Sequence, residues 1–117
     1  ATDPCQKMKA CKNQVELKGI ETAHVRDGAA VVKLLAWLDT ETSARDVKET
    51  EVCDKLREFR AEHPMFHDIS FPTISGSGAH GAIVHYRVTK ASDRALKAGE
   101  LFLLDSGAQY PDGTTDI

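Results

Sequence analysis

No apolar run in this chain of 117 residues is long enough to cross a bilayer. The longest, around Ala29 to Leu38 and Leu101 to Leu104, fall far short of the roughly 20 residues a spanning helix needs. No long Lys/Arg run occurs either, and 15 basic against 18 acidic residues leave a net charge of -3 and a pI near 5.9. Such a balance offers no positive field to a phosphate backbone, which argues against nucleic acid as a partner. The N-terminus lacks a basic segment followed by an apolar one, so no secretory signal is read. Cysteine is scarce: Cys5, Cys11 and Cys53 are odd in number and lack Cys-x-x-Cys spacing. Reduced, partly buried thiols are therefore expected, and with them a reducing compartment, the cytoplasm. Internal repeats and low-complexity tracts are absent as well.

What remains is an ordinary globular composition, 41% hydrophobic and 28% charged, with length for one modest core. Asn13 followed by Glu16 has the pattern of a capping box, which predicts a helix start. From there Ile20, Ala23, Asp27, Ala30, Val31, Leu34, Leu35 and Leu38 recur at spacings of three and four, predicting a long helix that ends near Asp39. Thr42 or Ser43 is suited to cap a second helix, carrying Val47, Cys53, Leu56 and Phe59 and stopped by His63-Pro64.

Beyond Pro64 the pattern turns to strands. Ile69 to Ile74 is apolar, Ser75-Gly76-Ser77-Gly78 reads as a loop, and Gly81 to Thr89 alternates so that His85 falls mid-strand. Leu101 to Ala108 reads as a further strand, and Pro111-Asp112-Gly113 as the turn of a hairpin. Two helices followed by antiparallel strands make the expected class α+β.

Asp105 follows four apolar residues, Leu101 to Leu104, on a strand, where an uncompensated charge costs several kcal/mol. A hairpin pivoting on Tyr110-Pro111 puts Asp116 opposite Asp105; one pivoting on Pro111-Asp112 puts it opposite Gly107, two residues away on the same face. Either register brings the carboxylates together, and like charges at that distance call for a proton or a cation between them. Hard oxygen donors suit Mn, Mg or Ca, and two such ions can activate water for hydrolysis. Spacing alone leaves open that Asp105 caps or salt-bridges locally and that Asp116 is merely solvated. Asp112 reads as a structural turn residue. His24, His63, His67 and His80 are discounted as ligands, since Pro64 breaks any helical pairing of His63 with His67.

Several strings together resemble the aminopeptidase P family of the M24 metallopeptidases. They are Asp105-Ser-Gly-Ala-Gln-Tyr-Pro-Asp-Gly-Thr-Thr-Asp116-Ile, Ile74-Ser-Gly-Ser-Gly, Gly81-Ala-Ile-Val-His-Tyr-Arg87, and the earlier Lys12-Asn13-Gln-Val-Glu16, Ala23-His-Val-Arg-Asp-Gly28 and Leu35-Ala-Trp-Leu-Asp39. The resemblance implies part of a pita-bread fold, with Asp105 as a terminal ligand and Asp116 as a bridging ligand of two divalent ions, usually manganese. His85 then corresponds to the family's active-site histidine outside the metal shell. The implied activity releases the N-terminal residue from peptides with proline in second position, and a homodimeric parent enzyme is compatible with it. Gly78-Ala79-His80-Gly81 departs from the family's usual Gly-Pro-Asn-Gly.

The family draws one further histidine and two glutamates from segments beyond Asp116. Residues 1–117 are therefore expected to be the N-terminal portion of a catalytic domain, inactive in isolation, from the middle of a longer protein. Two alternatives are an Xaa-Pro dipeptidase and a non-catalytic pita-bread binding module.

Overall fold

The computed structural model describes residues 3–117. Three α-helices lead into short antiparallel strands, the α+β order expected. α1 (Pro4–Ala10) is an addition to the two helices expected. Asp3 accepts from the Cys5 amide at 2.9 Å and Pro4 occupies the first turn, so Asp3-Pro4 is a helix start. α1 buries no side chain, which leaves Cys5 and Cys11 exposed against expectation; Cys53 alone is half-buried.

α2 (Gln14–Ala44) starts on the capping box, with the Asn13 side chain and the Glu16 amide, and the Glu16 side chain and the Asn13 amide, each 2.9 Å apart. It runs past Asp39, and Thr40, Thr42 and Ser43 turn their hydroxyls back onto the Ala36, Leu38 and Asp39 carbonyls. Those hydroxyls are thereby spent inside α2 and cap nothing. α3 (Glu49–Ala61) starts later, and Lys48 provides no side-chain cap. Its first amides find tertiary partners: Glu49 N–H donates to the Arg94 carbonyl and Thr50 N–H to the Asp93 carboxylate. Ala30, Leu34 and Leu38 of α2 pack on Val47, Val52 and Leu56, forming the main core. Ala23, Ala108 and Tyr110 form a smaller one beside the hairpin. No helix among the described residues is long and apolar enough to cross a membrane.

Among the described residues five strands follow: β1 (Asp68–Ile69), β2 (Ile74–Ser77), β3 (Phe102–Asp105), β4 (Ala108–Tyr110) and β5 (Gly113–Thr114). They form two antiparallel sheets, β1-β4-β5 and β2-β3. Ser75-Gly76-Ser77, expected as a loop, is strand, paired so that Ile74 faces Asp105 and Ser77 faces Phe102. The expected strand over Gly81 to Thr89 is replaced by a 3-10 helix (Gly78–Ala82) and turns. The alternation is present in the sequence, but no described strand lies alongside to pair with it, and Ile83 and Val84 stay exposed. His85 is consequently not mid-strand: it sits in a turn with φ 53°, a left-handed conformation that histidine tolerates better than most residues.

Candidate metal centre

The hairpin that carries the two acids turns on Pro111-Asp112, with Tyr110 opposite Gly113 and Gln109 opposite Thr114. The same register continues beyond β5, since Thr115 N–H donates to Ala108 O at 2.8 Å and Ser106 and Ile117 exchange bonds of 3.0 and 2.8 Å. Asp116 therefore lies opposite Gly107, the second of the two registers open to the sequence. Asp112 is structural: both its oxygens accept from Arg26 at 2.9 Å. That hydrogen-bonded guanidinium holds the Asp112 carboxyl below the usual range. The turn seats directly on α2 at Gly19, where a Cβ would come within 2.1 Å of the Asp112 carbonyl oxygen.

Asp105, Asp116 and His85 all line one open cavity of about 300 Å³, together with Phe71, Pro72, Ile74 and Arg87. Asp105 is half-buried and Asp116 exposed. Three other aspartates of the fold are paired, Asp27 with Arg60, Asp93 with Thr50 and Asp112 with Arg26, whereas the exposed Asp39, Asp46 and Asp54 carboxylates are not. The Asp105 and Asp116 carboxylates, which share the cavity, likewise accept no hydrogen bond and join no ion pair among the described residues. Two free carboxylates on one wall are a donor set suited to a hard cation. They are a partial set, since no group of three His, Cys, Asp or Glu among the described residues could hold a metal ion.

His85 reaches the cavity from a segment tied down behind it. Glu49, fully buried at the start of α3, accepts from Ser77 N–H at 2.7 Å and from the Tyr86 hydroxyl at 3.0 Å, and faces His80 Nδ1 at 2.8 Å. The His80 and Tyr86 rings stack with centroids 4.5 Å apart. Burial pushes the Tyr86 phenol up. His80 thereby braces the loop that carries His85.

Sequence reasoning missed the group behind the acids. Asp27 and Arg60 are both fully buried and meet through two bonds of 2.7 and 2.9 Å. Arg60 also donates to Gly107 O at 3.2 Å and to Ser106 Oγ at 3.0 Å. Asp27 accepts in addition from the Tyr110 hydroxyl at 3.1 Å and from Thr115 Oγ1 at 2.6 Å. Burial, with the Asp27 charge beside it, pushes the Tyr110 phenol up to about 12. A signal was available, because Asp27 stands on the otherwise apolar stripe of α2, where a charge needs a partner. Nothing marked Arg60 among the several charges of α3.

Residues 18–117 match the model of metallopeptidase family M24. The chain belongs to this family. It is 50% identical over 115 residues to "Aminopeptidase P2" of Arabidopsis thaliana, covering 97% of this chain and 16% of that protein. It is 45% identical to a "Probable Xaa-Pro aminopeptidase P" of Metarhizium robertsii, again over 97% of this chain and 19% of the relative. Among solved structures, the X-prolyl aminopeptidase of Caenorhabditis elegans superposes with a TM-score of 0.91 at 42% identity, covering 98% of this chain and 19% of that one. That protein is described as a cytosolic enzyme with a di-nuclear active site. The X-Pro aminopeptidase of Thermotoga maritima, TM-score 0.78 at 23% identity, shares the fold. This M24 chain is thus α+β and part of a pita-bread fold, and it spans less than a fifth of the length of the curated relatives named here.

Proposed function

We propose that residues 1–117 form the N-terminal portion of the catalytic domain of a metal-dependent Xaa-Pro aminopeptidase, which releases the N-terminal residue from peptides with proline in second position. One observation carries the reading: Asp105 and Asp116 share a cavity with His85, and their carboxylates have no partner among the described residues, in a chain half identical to an aminopeptidase P. Asp105, at the end of β3, and Asp116, just beyond β5, would hold the divalent ions. Bound there, two divalent ions supply Lewis acidity to the scissile carbonyl and acidify a water. Manganese is the ion proposed, because the family resemblance implies it and hard oxygen donors accommodate it.

His85 is exposed at the cavity mouth, where its ring is free to meet the substrate and to pass a proton as the carbonyl carbon becomes tetrahedral. Phe71 and Pro72 give the same wall an apolar surface suited to a proline ring. Two carboxylates are too few to hold two ions well, so the isolated segment is expected to be inactive. The free thiols suit a reducing, cytosolic setting.

In the full-length enzyme, Asp116→Ala is expected to bring hydrolysis of an Xaa-Pro-Xaa tripeptide to background and to abolish its dependence on added manganese. Unchanged turnover overturns the assignment. A wild type that cleaves Xaa-Pro dipeptides and spares the tripeptide is a dipeptidase instead.

A further inference from the structure

We infer that the buried Asp27–Arg60 pair is a positioning device that sets the spacing of Asp105 and Asp116, acting through the hydroxyls of Ser106 and Thr115. The inference rests on the metal-centre reading above. Its ground is a symmetry in the contacts. Ser106 directly follows Asp105 and accepts from Arg60 at 3.0 Å; Thr115 directly precedes Asp116 and donates to Asp27 at 2.6 Å. Each acid is thus one peptide unit away from a hydroxyl held by one half of the same ion pair. The two halves are themselves joined by a bidentate contact, whose planar fork fixes orientation as well as distance.

The segment between the acids is pinned at its other groups too. Arg60 Nη1 donates to the Gly107 carbonyl at 3.2 Å, Thr115 Oγ1 accepts from Ala108 N–H at 2.8 Å, and Ser70 Oγ donates to the Thr115 carbonyl at 2.9 Å. Gly107 admits no side chain, since a Cβ would fall 2.1 Å from both Ser70 Oγ and the Thr115 carbonyl oxygen. Ser106 and Thr115 are fully buried, while Asp105 and Asp116 line the cavity. The clamp therefore grips the buried side of the backbone and leaves the ligating side open.

Stability alone is a poor reason to bury such a pair, because apolar residues of similar volume often serve as well or better. Direction is what an apolar cluster cannot supply, and metal sites tolerate only about 0.5 Å of ligand displacement. Asp27, Arg60, Ser106 and Thr115 are buried and do not line the cavity, and we class them as positioning residues.

The test uses the full-length enzyme, manganese titration with Mn electron paramagnetic resonance, and thermal unfolding. Thr115→Val keeps the shape and removes the hydroxyl; Ser106→Ala removes the matching bond with a smaller change and serves if the first variant folds poorly. Each is expected to weaken the second Mn by about tenfold to a hundredfold and to diminish the spin-coupled signal. Thr115→Ser is expected to restore both. Val47→Ala, which costs stability in the main core away from the cavity, is expected to leave both Mn affinities within about twofold of wild type. Unchanged Mn binding in Thr115→Val and Ser106→Ala overturns the inference, and so does equal weakening in Val47→Ala. A wild type that takes up no Mn removes the metal-centre reading itself, a result distinct from either.

Discussion

Asp27 and Arg60 have no access to water, so each depends on the other for solvation. Removing one leaves an uncompensated buried charge, a loss of about 3–5 kcal/mol in comparable pairs. Asp27→Ala should therefore lower the free energy of unfolding by that amount in urea titrations, and it also strips partners from Tyr110 and Thr115. A loss below about 1 kcal/mol, the scale of an exposed pair, would contradict the burial described. Tyr110 offers a second check at the same site. Its folded pKa of about 12 lies above the ordinary tyrosine value of about 10, so the fold holds the proton more tightly than the unfolded chain does. That contribution is fully present below about pH 10 and is lost as pH rises toward 12. The chain has two tyrosines, so Tyr86→Phe leaves Tyr110 alone, and its phenolate absorbance should develop with a midpoint near 12. A midpoint at about 10 in the folded protein contradicts the burial of Tyr110 beside Asp27.

At the scale of elements, the contact of the hairpin turn with α2 sets two tendencies against each other. Helix propensity alone favours Gly19→Ala by about 1 kcal/mol. The added Cβ would stand 2.1 Å from the backbone oxygen of Asp112, and backbone gives way less cheaply than a side chain. The clash should win, with a net loss of about 1–3 kcal/mol measured by thermal or chemical unfolding. A stabilised variant would mean that the turn does not seat on Gly19. Elements were legible in the sequence wherever their cause is local. The capping box at Asn13 and Glu16, the stripe of α2 and the turn at Pro111-Asp112 each depend on residues within a few positions of one another. Where the cause is tertiary the reading failed: α3 is capped by Asp93 and Arg94, and Ser75-Gly76-Ser77 becomes strand only because β3 lies beside it. His85 lost its expected strand for the converse reason, since its alternating segment finds no described neighbour to pair with.

For the molecule as a whole, the position of the two acids was legible because a two-residue turn fixes cross-strand register, and both candidate registers kept Asp105 and Asp116 on one face. The support behind them was not legible, because Asp27, Arg60, Ser106 and Thr115 lie up to 88 residues apart and meet only in the folded core. The fold, in this view, holds two carboxylates together against their repulsion and leaves their ligating side open. The most direct test is the metal content of the full-length enzyme, wild type against Asp116→Asn, by elemental analysis after dialysis against manganese. Two ions per subunit in the wild type and at most one in the variant are expected. Two ions retained by the variant would contradict a cation site shared by Asp105 and Asp116.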